Sequence, residues 1–177
     1  MKDKLFYLIF FVLVLGISRI IPHPPNFTPI LASAIMAPML IKDKYYGLAI
    51  PILAMFIGDI IIGFHPYQFV IYTTILTISL LSPMQRNFKM LGLMAVGSSL
   101  WFFITTNFAV WIMWDYYPKT IDGLITCYTL AIPFFKNTLI STCIFTGLIA
   151  ISMSYLDQVN KKLNYYFLNF SFRSNKS

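Results

Sequence analysis

Apolar residues gather along this chain into long unbroken runs, without the alternating polar stripe of a soluble fold. The runs cover about 5–21, 29–41, 46–64, 67–82, 90–113 and 137–155, and a semi-apolar stretch at 121–135 precedes the last. A helix rises about 1.5 Å per residue and the hydrocarbon core of a bilayer is about 30 Å thick, so runs of roughly 17 residues or more can cross it. The pattern predicts an all-α membrane protein, a bundle of six transmembrane helices, with an extra re-entrant or interfacial helix near 121–135. The second run is too short to cross alone. It begins lower in the bilayer, leans on its neighbours, or is extended by snorkelling of Lys42 and Lys44. Thr28 before Pro29 predicts an N-cap with proline at the first helical position. Pro38, Pro51 and Pro133 fall inside apolar runs and are expected to bend or break their helices.

Composition supports the membrane assignment. Of 177 residues, 58% are hydrophobic and 11% charged, and the mean hydropathy is +0.74. A soluble domain needs more polar surface. The start, Met1-Lys-Asp-Lys before an apolar run, imitates a secretory signal. Arg19, His23 and three prolines follow that run without a small-residue cleavage pattern, so it reads as a retained first helix.

Charge then tests the topology. With six crossings, Lys2, Lys4, Lys42, Lys44, Arg86, Lys89, Lys161, Lys162, Arg173 and Lys176 fall on one side, and Arg19, Lys119 and Lys136 on the other. Asp3, Asp43 and Asp157 join the first group and Asp59, Asp115 and Asp122 the second, for net charges of +7 and 0. The positive-inside rule then makes both termini cytoplasmic. Residues 1–156 read as the helical domain. Residues 157–177 read as a basic-aromatic tail lying on the cytoplasmic leaflet. Basic residues scattered in this way do not form a nucleic-acid face, so the partners expected are membrane lipid and a small molecule.

The scarce polar residues collect toward the outer side. Arg19 and Asp59 lie near the outer ends of the first and third helices, where charges pair or line a wet cavity. An Arg19–Asp59 ion pair is expected, either pinning two helices or presenting a charge to a ligand. Asn107, Ser141 and Thr142 lie at comparable depth and suit interhelical hydrogen bonds as well as ligand contacts. His23 and His65 occupy outer loops. Two imidazoles can ligate a metal or a metal-containing ligand, but no HExxH or carboxylate cluster accompanies them, and no resident metal or cofactor is expected. Asn26 and Thr28 can bond the backbone of the proline-stiffened first loop. Tyr67, Tyr72, Trp101, Trp111, Trp114, Tyr116 and Tyr117 suit an interfacial belt, with some available to stack on a planar ligand. Ala32, Ser33, Ala34 and Ala37, with Gly92 and Gly97, would permit close helix contact or dock a partner. Cys127 and Cys143 have no metal or CxxC spacing and read as small buried residues. GxSxG, Walker and GxGxxG motifs are absent, so no enzyme is expected. An Asp59–His65 acid/base pair is the weakest rival.

Several elements together resemble a known family. Arg19 with Pro22-His-Pro-Pro-Asn-Phe-Thr-Pro29, Asp59 with Gly63-Phe-His65, Thr106-Asn-Phe-Ala-Val-Trp111, Tyr117-Pro-Lys-Thr120 and Pro133-Phe-Phe-Lys-Asn-Thr138 are similar, in order and spacing, to small uncharacterised bacterial membrane proteins labelled as transport proteins. That family is in turn similar to the substrate-binding S components of energy-coupling-factor vitamin transporters. The resemblance implies six helices and a pocket open to the outside, in the bacterial cytoplasmic membrane. It also implies capture of a small nutrient such as a vitamin or cobamide. The first helix lacks the Ala-x-x-x-Ala pattern with which many S components dock an energising ATPase module. The site expected is a polar floor of Arg19, Asp59 and Asn107, a mouth of His23 and His65 beside Asn26, and an aromatic wall of Trp111 and Tyr116. A non-transporting scaffold that recruits partner proteins is the alternative.

Overall fold

The computed structural model describes residues 2–41, 43–82 and 87–174, with side chains described for Phe6 and, within those spans, from Leu8 to Lys161. Lys42, Arg86, Lys176 and the other masked positions lie outside the described residues. So do the side chains of Lys2, Lys4, Lys162 and Arg173, and with them most of the expected basic-aromatic tail. The described chain is all-helical, with α1 (Lys2–Ser18), α2 (Ile30–Leu40), α3 (Lys44–Ile62), α4 (Gln68–Leu80), α5 (Phe88–Met113) and α6 (Ile121–Ser174). Three of these, α3, α5 and the Ile121–Lys161 part of α6, are long and apolar enough to cross a membrane.

Local chemistry marks several helix ends. Asp43 caps α3 by accepting from the Tyr45 N–H at 3.1 Å, and Asn87 caps α5 by accepting from the Lys89 N–H at 2.9 Å. At the far end of α5, Lys119 Nζ donates to the Trp111 carbonyl at 2.6 Å and also to that of Trp114. A cation there complements the negative end of the helix dipole. Thr120 Oγ1 accepts from the Gly123 N–H at 3.2 Å and opens α6.

Three expectations need correction. Residues 121–135 are not a separate interfacial helix; they form the first third of one continuous α6. Apolar surface continues through both stretches, and nothing between them supplies a cap or turn. Pro133, Pro38 and Pro51 do not end their helices either; each forfeits one backbone bond that the neighbouring turns survive. Finally, Pro29 rather than Thr28 occupies the N-cap position of α2, and no side chain caps that helix.

The outer surface is apolar all round. Ile9, Phe10, Leu13, Val14 and Ile17 on α1 are each about half exposed, as are Ile60, Ile61 and Ile62 on α3. Such a surface suits lipid rather than water. The α1 helix packs along α3, and α5 along α6. At the centre lies α2, with every residue from Ile30 to Ala37 buried. Its small side chains therefore serve packing and present no docking surface. Gly47 faces the backbone of α2, where an added Cβ would stand 2.6 Å from Pro38 Cα. Gly92 and Gly97, expected at such contacts, face open space instead.

The depth of α2 follows from its contacts. Ser82 Oγ, just past α4, donates to the Ile35 carbonyl at 2.5 Å. Ile30 therefore lies roughly 13 Å below the first turn of α4, at 1.5 Å per residue. The segment 19–29 descends from the end of α1 into the bundle, and α2 begins at mid-depth. A tight turn closes over Pro24 to Phe27, the Phe27 N–H donating to the Pro24 carbonyl at 2.9 Å, and Asn26 within it takes φ 62°, a left-handed conformation that asparagine tolerates. The descending loop is held against α6. Asn137 Nδ2 donates to the Pro25 carbonyl at 3.0 Å, Ser141 Oγ reaches the Asn26 carbonyl at 3.5 Å, and Phe27 packs edge-on to Phe145.

Candidate functional site

A cavity of about 600 Å³ opens above the descended loop, and every helix or its adjoining loop contributes to its wall. Arg19, His23 and Asn26 come from the first loop, and Ile30 and Leu31 from the start of α2. His65 and Tyr67 come from the α3–α4 loop, Thr106 and Asn107 from α5, Trp114 and Tyr116 from the α5–α6 loop, and Phe134, Phe135 and Ser141 from α6. The cavity exists because α2 starts low. A helix beginning level with α4 would occupy that volume.

Arg19 and Asp59 form the expected pair. Arg19 Nη1 lies 2.7 Å from Asp59 Oδ1, with side-chain exposures of 13% and 4%, so the cavity meets the guanidinium while the carboxylate stays behind it. Asp59 is thus not part of the lining floor. The same Nη1 donates to the Met55 carbonyl at 2.7 Å. Gly58 makes room for this arrangement, because a Cβ there would collide with the guanidinium.

The carboxylate is held from its other side as well. Gln68 Nε2 and Tyr72 Oη both donate to Asp59 Oδ2, the latter at 2.8 Å, and Gln68 Nε2 also reaches Tyr72 Oη at 2.6 Å. A buried carboxylate with three donors is well compensated. The part played by Gln68 was not apparent from sequence. The available signal is an amide nine residues after an intramembrane Asp, across a loop short enough to bring α4 back beside α3.

Other predicted residues divide. His23, Asn26, His65, Asn107 and Tyr116 all line the cavity. His23 faces two carbonyls, Nδ1 toward that of Pro24 at 2.8 Å and Nε2 toward that of Arg19 at 3.2 Å. Carbonyls only accept, so both contacts are hydrogen bonds together only when the ring is doubly protonated. Asn107 donates to the Phe103 carbonyl at 2.7 Å, anchoring its amide one turn back along α5.

Trp111 is displaced from the predicted wall. Its indole N–H donates to the Pro118 carbonyl at 3.0 Å, which turns it to the α5–α6 loop. Trp114 takes its place in the lining, stacked edge-on between Tyr67 at 5.3 Å and Tyr116 at 4.5 Å. Ser141 lines the cavity, whereas Thr142 is fully buried and donates to the Thr138 carbonyl at 2.7 Å. Cys127 is buried and lines the cavity, while Cys143 lies on the exposed face of the apolar α6 span. Among the described residues no cluster of His, Cys, Asp and Glu could hold a metal ion.

No curated protein and no solved structure matches the chain. A family of unknown function, DUF6580, matches residues 1–164, and the chain belongs to that family.

Proposed function

We propose that this is a multi-pass protein of the bacterial cytoplasmic membrane that captures a small nutrient from the outer side for transport. In this reading all six helices lie across or within the bilayer, as in S components of vitamin transporters, and both termini are cytoplasmic. The charge asymmetry of the loops supports the orientation. The single observation that carries the reading is the cavity at the predicted outer end, where Arg19, His23, Asn26, His65, Asn107 and Tyr116 converge. Its volume of about 600 Å³ falls within the range of small-molecule sites, about 300–1,000 Å³. A ligand of that size is compact, closer to a simple vitamin than to a complete cobamide. The wall combines a few convergent polar groups with aromatic surface, as ligand sites do.

Burial of α2 weakens the rival scaffold, because that helix has no face left for a partner protein. The tail beyond Asp157 is what remains for recruitment. An energising ATPase module is a further partner to seek, docked elsewhere than on an Ala-x-x-x-Ala stripe. Mass spectrometry of the protein purified from grown cells tests capture directly. A stoichiometric small molecule, lost when Ala131→Trp fills the cavity, is the expected result. A protein that purifies empty and binds no candidate nutrient overturns the reading.

A further inference from the structure

Arg19 commits one nitrogen to the protein. Nη1 serves both Asp59 Oδ1 and the Met55 carbonyl. No hydrogen bond among the described residues engages Nε or Nη2, and the side chain forms part of the cavity wall. The edge left over is the side-on fork of the guanidinium, two parallel N–H groups spaced to meet the two oxygens of a carboxylate. We propose that the cavity takes a monoanionic carboxylic acid with an apolar or aromatic body, its carboxylate seated on the Nε–Nη2 edge of Arg19. This assignment rests on the capture reading above and narrows its ligand class.

Three further features point the same way. No Asp, Glu or Lys is among the residues that line the cavity, so a bound anion meets neither repulsion from a lining carboxylate nor a competing ammonium. Asp59 meets Arg19 through Oδ1 and Nη1 alone, its Oδ2 being held by Gln68 and Tyr72, so the ion pair leaves the Nε–Nη2 edge uncovered. The uncapped start of α2, with Ile30 and Leu31 in the wall, adds the positive end of a helix dipole. The body of the ligand then rests on apolar and aromatic wall, including Phe102, Phe103, Phe134 and Phe135. One negative charge fits better than two. Asp59 stands directly behind the guanidinium, and a phosphate dianion would find no second permanent cation in the wall.

The test uses the full chain in lipid nanodiscs and two matched acid/amide pairs: indole-3-acetate with indole-3-acetamide, and octanoate with octanamide. Equilibrium dialysis, corrected with empty nanodiscs, reads affinity. Each acid that fits is expected to bind at least about tenfold tighter than its amide, the worth of a charged hydrogen-bond pair. The indole pair stands for a soluble aromatic acid and the octanoyl pair for a lipid-derived one, so whichever shows the preference identifies the source. Arg19→Lys keeps a cation on Asp59 and removes the fork, and Arg19→Gln with Asp59→Asn removes both charges together. Either variant should bring the acid down to the affinity of its amide. Equal binding of acid and amide, abolished by Ala131→Trp, overturns the carboxylate assignment and leaves capture standing. An acid preference that survives both variants overturns it too. Failure of every compound to bind overturns the carboxylate assignment, while capture stands or falls on the co-purified molecule.

Discussion

Replacing Asp59 tests the clasp that holds α1, α3 and α4 together at the cavity. In Asp59→Ala three donors lose an acceptor at once, Arg19 Nη1, Gln68 Nε2 and Tyr72 Oη, and the guanidinium loses its counter-charge. Hydrogen bonds to charged groups are each worth about 1.5–3 kcal/mol, but members of one network do not add. The measured cost of stranding one partner of a buried ion pair, about 3–5 kcal/mol, is the better guide. For a chain of this size that corresponds to a fall in unfolding temperature of about 6–20 °C. Asp59→Asn also leaves the guanidinium charge unpaired, but should cost less than Asp59→Ala by about 1–2 kcal/mol, the worth of the hydrogen bonds it keeps. Its amide oxygen can still accept from Arg19, while its NH₂ donates to Tyr72 Oη and a flipped Gln68 Oε1. Pairing the charge loss, as in Arg19→Met with Asp59→Leu, should restore much of what either single change removes. Fluorescence of Trp101, Trp111 and Trp114 during heating in detergent reads the series. An Asp59→Ala protein as stable as the parent, or a double variant worse than the sum of the singles, would refute the reasoning.

Three further outcomes follow from the packing. Gly47→Ala should destabilise by about 1–3 kcal/mol, since its Cβ meets the backbone at Pro38 rather than a movable side chain. Gly92→Ala, which meets nothing, should be neutral or stabilising by up to about 1 kcal/mol in the same thermal assay. Asn137→Ala removes the anchor of the Pro25 carbonyl and should cost about 0.5–1.5 kcal/mol, seen also as faster proteolysis or labelling of the first loop. For topology, a cysteine placed at His65 or Tyr116 should react with an impermeant maleimide added to intact cells, and one placed at Asn87 only after lysis; the opposite pattern inverts the proposed orientation.

Much of the helical layout was legible because surface and buried residues are both largely apolar, so long runs alone mark helices. The Arg19–Asp59 pair was legible for the complementary reason that an intramembrane charge requires a partner. The same uniformity concealed where helices join. Nothing in residues 121–155 distinguishes one long helix from two short ones, since Pro133 and the polar Lys136-Asn137 step could mark a break, yet the helix runs through both. Glycines misled in a similar way. Gly92 and Gly97 look identical in sequence to Gly47 and Gly58, yet only the latter two face a neighbour that needs the space. Trp111 and Trp114 lie less than a turn apart, and which one enters the cavity is decided by the Pro118 carbonyl, a loop contact that no periodicity encodes.

The low seat of α2 also constrains the order in which the molecule is made. Asn137 and Ser141, the groups that hold Pro25 and Asn26, follow them in the chain by 112 and 115 residues. At about 5–20 residues per second, a ribosome emits them roughly 6–20 s later. Throughout that interval the turn at Pro25 and Asn26 lacks both of these anchors. A loop that emerges well before α6 is therefore among the last segments to reach its native place, and a chain truncated before α6 leaves that loop unseated.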